Sequence, residues 1–268
     1  MIKMVALDLD NTLLNSNKEI SQRNERVLKQ LHQQGIKVVL CTGRPINAIW
    51  PYIEQLGLTD PEDYTITFNG GLVINNESRE HFFELGMKKI DLLPLFSYVK
   101  NKKIPLNILD FERVYELNDY PGSIYRTVLK NIEFQALPMS DVPEITYSKA
   151  VMAITPEKLS PIIKELPAEL KAHYHAVQSQ PMIMEFLPKK LNKAVGLKAL
   201  LDHFGDDFSN LMTFGDADND LEMIKAAAQG IVMENGLPNV KAVATAITDT
   251  NDNDGVARYC ERYFATLL

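Results

Sequence analysis

Cysteine is scarce: Cys41 and Cys260 are the only two in 268 residues. A small secreted scaffold held by disulfides carries more, so the pair reads as reduced thiols in a cytoplasmic protein. Cys41 sits in the apolar run KVVLCT, where core packing is its plainest role. Long apolar runs are missing too. No stretch reaches the roughly 18 apolar residues of a membrane span. The opening MIKMVALDLD places acids where a signal peptide needs its apolar centre. Positive charge is not in excess either. A net charge of −7 argues against nucleic acid or an anionic membrane as a partner. The glycines form neither the G-x-G-x-x-G dinucleotide fingerprint nor the G-x-x-x-x-G-K phosphate loop, which removes the nucleotide-binding modules. His173 and His175 alternate in AHYHAV without a third ligand nearby, so they read as solvent-facing strand residues.

What is present is a rhythm. IKMVALDLD, residues 2 to 10, is an apolar run ending in acids, as in a strand covered on both faces. A helix is expected from Ser21, a good N-cap, with Val27, Leu28 and Leu31 as its apolar stripe and Gly35 as its stop. IKVVLCT repeats the buried strand. Pro45 fits the first turn of a second helix lined by Ile46, Ile49, Ile53 and Leu56 and stopped at Gly57. YTITF is a third strand, before the turn Asn69-Gly70-Gly71. Strand, helix, strand, helix, strand predicts a parallel sheet with crossover helices.

After residue 71 the rhythm changes. A hairpin, LVI–NNES–REHFFEL, leads into a proline-rich mixture of short strands and helices. The first rhythm returns at Leu191. A helix to about residue 203 is followed by the strand NLMTF, the segment GDADND, a helix from Asp218, the strand GIVM, and a last helix from about Asp254. The expected architecture is α/β. It comprises a doubly wound, Rossmann-like parallel-sheet core over residues 1–81 and 188–268, with an inserted α+β cap over residues 82–187.

In open parallel sheets ligands bind at the carboxyl ends of the strands. Polar signals fall there: Asp8-Leu9-Asp10-Asn11-Thr12, Thr42-Gly43-Arg44, Lys193 and Gly215-Asp216-Ala217-Asp218-Asn219-Asp220. Asp8 and Asp10 are two apart and point the same way on a strand. With Asp216 from a neighbouring strand, three carboxylates converge and repel unless a divalent cation joins them. Magnesium suits oxygen ligands and keeps room for water and a phosphate. Lys193 can bridge a carboxylate and a phosphoryl oxygen, and Thr42 and the amides around Gly43 can donate to it. One carboxylate can attack phosphorus while a second manages the leaving-group proton.

These motifs resemble the haloacid dehalogenase superfamily of phosphatases, in particular Cof-type sugar phosphatases with a type IIB cap. DLDNT, TGR, Lys193 and GDADND stand as its four motifs, and FNGG and NDGVA as marks of the subgroup. The resemblance implies Asp8 as nucleophile and Asp10 as general acid and base. It also implies magnesium on Asp8, the Asp10 carbonyl and Asp216. Leu9, Thr42, Gly43, Arg44, Lys193 and Asn219 would bind the phosphate, with Asp220 supporting the metal site or Lys193. The substrate would be a small phosphorylated metabolite, a sugar phosphate first among them. Two positions depart from the pattern: Asn11 replaces a common glycine, and Lys193 is followed by Ala194, with glycine only at 196. Arg44 has a second reading as a structural ion-pair partner. The competing functions are a phosphomutase or phosphotransferase and a phosphoacceptor signalling domain. The hundred-residue insertion argues against the latter.

Overall fold

Val5, Ala6 and Leu7 carry no polar atom beyond the backbone and are wholly buried, so the first strand must be covered on both faces. In the computed structural model, which describes residues 1–129 and 132–267, it is the centre of a sheet. The chain forms two compact units, Met1–Glu84 with Asn192–Leu268, and Leu85–Leu191.

In the first unit β1 (Met4–Leu7) is followed by α1 (Gln22–Gln33), β2 (Lys37–Leu40) and α2 (Trp50–Leu56). Ser21 caps α1 by accepting from the Asn24 amide, and Val27, Leu28 and Leu31 are its buried face. The helix expected from Pro45 is broken in two. A 3-10 turn covers Ile46–Ala48, Ile49 leaves helical geometry, and α2 restarts at Trp50 with Pro51 in its first turn. Proline has no amide hydrogen to continue the first turn, which accounts for the break. Gly57 ends α2 with φ 67°, a conformation that favours glycine.

β3 (Tyr64–Thr67) does not extend the parallel sheet as expected. It pairs antiparallel with β4 (Leu72–Asn75), which pairs with β5 (His81–Glu84), giving a separate three-stranded sheet. Its tie to the parallel sheet is a bridge between Cys41 and Ile66. The turn after Thr67 reverses the chain so tightly that β4, not a distant strand, takes the open edge.

The second unit holds α3 (Lys89–Lys102), β6 (Asn107–Leu109), β7 (Arg113–Leu117), α4 (Tyr125–Val128), β8 (Glu133–Leu137), β9 (Lys149–Ala153), α5 (Pro156–Lys164), α6 (Ala168–His173), β10 (Tyr174–Gln180) and β11 (Ile183–Pro188). The strands form one mixed sheet in the order β10-β11-β9-β6-β7-β8. Strand alternation sorts its faces. Ala150 and Met152 pack with Leu92, Leu95 and Val99 of α3, whereas Val151 and Ala153 pack with Tyr125 of α4. His173 ends α6 rather than lying in a strand, and both it and His175 are exposed.

The first unit resumes with α7 (Lys193–His203), β12 (Leu211–Gly215), α8 (Leu221–Ala226), β13 (Gln229–Met233), α9 (Pro238–Lys241), β14 (Ala246–Thr248) and α10 (Gly255–Tyr263). Its main sheet is all parallel, in the order β14-β13-β12-β1-β2. One apolar cluster, with Val27, Leu28 and Ile53, covers one face. A second, with Leu197, Leu200 and Ile224, covers the other. The molecule is therefore α/β, with a parallel sheet core and two further sheets. No helix among the described residues is long and apolar enough to cross a membrane.

Candidate active site

Three adjacent parallel strands, β12, β1 and β2, end side by side, and each hands a polar residue to the same edge: Asp216, Asp8 and Thr42. The Asp8 amide continues the ladder to the Phe214 carbonyl, 3.0 Å away, which anchors the residue just beyond its strand. Lys193, the first residue of α7, is wholly buried. Its Nζ donates to Asp8 Oδ1 at 2.5 Å and to Asp220 Oδ1 at 2.6 Å. The Asp220 Oδ2 accepts the amides of Asp216 and Ala217 at 2.9 and 3.0 Å. Asp220 is thus fully engaged in holding Lys193 and the loop after β12. Thr12 Oγ1 donates to Asp216 Oδ1 at 3.0 Å.

Charge does not balance in this pocket. The carboxylates of Asp8, Asp216 and Asp220 lie within 4.8 Å of one another against a single ammonium. Burial pushes the Asp8 carboxyl up; Lys193 pulls it back, and Asp220 and Asp216 push it further, leaving it at about 7. Burial and Asp220 likewise raise Asp216 to about 6 against the Thr12 hydrogen bond and the Lys193 charge. Burial works against the Lys193 charge, but Asp8 and Asp220 outweigh it and hold the ammonium protonated. Burial raises the neighbouring Cys41 thiol to about 12, so it stays neutral.

The donor set fits a hard divalent cation. The second oxygens of Asp8 and Asp216 carry no hydrogen bond among the described residues, and the excess negative charge is what such an ion would neutralise. Asp220, with both oxygens occupied by protein donors, suits support rather than ligation.

Asp10 is placed differently. Arg44 grips it with both arms of its guanidinium, at 2.7 and 2.6 Å, and Lys18 adds a contact at 2.8 Å. Burial alone would raise the Asp10 carboxyl, yet these donors hold it at about 2. The structure therefore brings Arg44 to Asp10, the ion-pair role that was its second reading. Thr42 accepts the Arg44 amide on its hydroxyl oxygen at 3.1 Å, leaving its hydrogen to donate elsewhere. Gly43 and Asn219 lie exposed, and the Leu9 side chain is buried in the core, so only its main chain can meet a ligand. Asn11 stands at φ 59°, a backbone state Asn tolerates, which accounts for its replacing a glycine there.

A match to the family model of haloacid dehalogenase-like hydrolases runs over residues 5–260. The chain belongs to that family. YitU of Bacillus subtilis, a 5-amino-6-(5-phospho-D-ribitylamino)uracil phosphatase, is 29% identical over 269 residues, covering 98% of this chain and 97% of its own. The structure of a haloacid dehalogenase-like hydrolase from Bacteroides thetaiotaomicron superposes with a TM-score of 0.80 at 32% identity, covering 98% of this chain and 100% of that one. The subclass IIB sugar phosphatase BT4131 shares the fold, with a TM-score of 0.73 at 22% identity over 99% of this chain and all of its own. Relatives of this hydrolase are phosphatases of small phosphorylated molecules.

Several supporting residues of the hydrolase escape a reading of its sequence. Asn235 donates to the Asn11 carbonyl at 2.8 Å and Asn251 to the Leu14 carbonyl at 2.9 Å, while Ser16 binds Asp252. These asparagines, more than two hundred residues away in sequence, brace the loop that carries Asp8 and Asp10. The NDGVA segment marks their neighbourhood, but nothing local shows the contact. A second group, His32, Asp60 and Asp63, joins a histidine ring to Asp63 at 2.8 Å and the Asp60 amide to the same carboxylate at 2.9 Å. Those bonds fasten the loop before β3 to α1.

Proposed function

We propose that this hydrolase is a magnesium-dependent phosphomonoesterase that forms a phosphoryl-aspartate on Asp8. The observation that carries the reading is the burial of Asp8 beside Lys193 and Asp216 at the carboxyl edge of the parallel sheet. Asp8, Asp216 and the Asp10 carbonyl would hold magnesium, which when bound neutralises carboxylate and phosphoryl charge. Lys193 favours the ionised form of the attacking carboxylate against burial and orients it. One Asp8 oxygen attacks phosphorus as the bond to the leaving oxygen breaks, and a protonated Asp10 gives that oxygen its proton. Water then attacks the acyl phosphate, Asp10 takes its proton, and inorganic phosphate leaves. In the state described here Asp10 is ionised by Arg44 and Lys18, so it must exchange those partners for a proton before it acts.

Small sugar or sugar-alcohol phosphates are the proposed substrates. The phosphorylated ribityl chain named for YitU supports that class. The insertion in the family resemblance supports assigning substrate choice to the second unit, Leu85–Leu191, and the chemistry to the first. Incubation with a phosphate ester, trapping with borohydride and mass spectrometry of the peptides is expected to place the modification on Asp8, and chelation to prevent it. Modification at Asp10 would make Asp10 the nucleophile, and modification at no carboxylate would replace this scheme with direct attack by water.

A further inference from the structure

We propose that Asn69 is a positioning residue for phosphoryl binding, acting through Asn219. The inference rests on the phosphatase reading above and extends it to a residue outside the four motifs. Asn69 Oδ1 accepts the Asn219 Nδ2 at 3.1 Å, which leaves the second hydrogen of that exposed amide to donate outward. The bond joins the turn after β3 to the loop after β12, 150 residues apart.

Asn69 is itself held on two sides. Its amide donates to the Thr42 carbonyl at 3.0 Å, and its side chain fills the space beside Gly43, where an added Cβ would lie 2.9 Å from Asn69 Oδ1. On the other side Gly70 packs on the start of α7. A methyl there would overlap the Asn192 carbonyl and stand 3.1 Å from the Lys193 Cα. Gly196 continues that contact, with Ile66 and Gly70 against the place its own Cβ would take. The turn needs three left-handed residues in a row, Phe68, Asn69 and Gly70, at φ 51°, 56° and 96°. Such strain persists only where surrounding contacts fix it, and it gathers at functional sites. One turn thus touches three segments expected to meet the phosphate: Thr42 with Gly43, Lys193, and Asn219. Asn69 suits its place because asparagine tolerates the left-handed backbone and supplies an acceptor.

The test uses the full-length enzyme, p-nitrophenyl phosphate as substrate and orthovanadate as inhibitor. Asn69→Gly keeps the left-handed backbone and removes only the amide. It is expected to raise KM and weaken vanadate inhibition by about tenfold, the worth of one hydrogen bond to a charged group. The melting temperature should change little. Asn219→Ala should do the same, and the double variant should match Asn219→Ala alone, since Asn69 acts through it. If Asn69→Gly melts far below the wild type, Asn69→Ser, which also cannot reach Asn219, is read in the same way. Multiplying effects in the double variant, or unchanged KM and vanadate inhibition in the single one, would overturn the positioning role alone. Wild-type enzyme without phosphatase activity, or with activity indifferent to Asp8→Asn, would overturn the phosphatase reading and this inference with it.

Discussion

Asp8 and Asp10 are the same residue type, two positions apart on one loop, and their surroundings drive them in opposite directions. Asp8 is buried among carboxylates and raised to about 7; Asp10 is half-exposed under Arg44 and Lys18 and held at about 2. Burial pushes both upward and is deeper at Asp8, and the partners add to the difference. Asp8 has one cation shared with Asp220 and two carboxylates beside it, whereas Asp10 has two cations to itself. Environments that separate paired acids are how one loop supplies two chemical roles. Here the resting state sets them in one order, and the proposed reaction needs Asp10 to take up a proton that its partners now exclude.

The comparison breaks most severely at Asp8. Asp8→Asn keeps shape but removes the nucleophile, and turnover is expected to fall at least about a thousandfold, roughly 4 kcal/mol of barrier, measured with any accepted ester. Next comes the cation on the Asp8 side. Lys193→Met leaves Asp8, Asp216 and Asp220 buried without their ammonium, and denaturant unfolding at neutral pH is expected to lose about 3–5 kcal/mol. Added magnesium should restore part of that loss, and no loss at all would show the pair to be stabilised from elsewhere. Asp10→Asn cannot carry a proton. Its turnover should drop much more for an alkyl phosphate than for p-nitrophenyl phosphate, whose leaving group departs unprotonated. Equal losses on both esters would remove Asp10 as the acid.

The smallest effect lies at Arg44. Arg44→Gln should let the Asp10 carboxyl rise from about 2 toward the ordinary carboxylate range, followed by its carbon-13 shift against pH. A carboxyl lower in the folded state contributes stability above its unfolded pKa, and that contribution fades as pH falls toward 2. Because Asp10 is more than a third exposed, solvent screens the pair and the loss in Arg44→Gln at neutral pH should stay under about 1 kcal/mol.

Much of this was legible in the chain. Apolar runs that end in polar residues, acids at β1 and β12 and Thr42 at β2, mark these strands because a strand buried on both faces leaves little room for polar side chains until it ends. Local signals failed where geometry depends on a distant partner. The strand YTIT looks like any buried strand, and only the reversal at residues 68–70 sends it into a second sheet. Pro51 splits a helix whose apolar spacing runs unbroken through it. FNGG signals a turn, but that Asn69 meets Asn219 is a fact of two loops brought together, not of either segment. Likewise TGR displays an arginine without saying whether Asp10 or a phosphate receives it.

The strand order carries a consequence for how the chain is made. β1 lies between β2, which leaves the ribosome almost at once, and β12, formed by residues 211–215. A growing chain therefore carries its central strand with one edge open through synthesis of the whole continuous segment Leu85–Leu191. The later unit in sequence has its own apolar core, so it is expected to resist protease first. Nascent chains stalled at about residue 230, with that segment clear of the ribosome and β12 still inside it, should show a protected fragment from that segment while residues 1–84 are still cut, and protection of both would mean that β1 is sheltered before its neighbour is available.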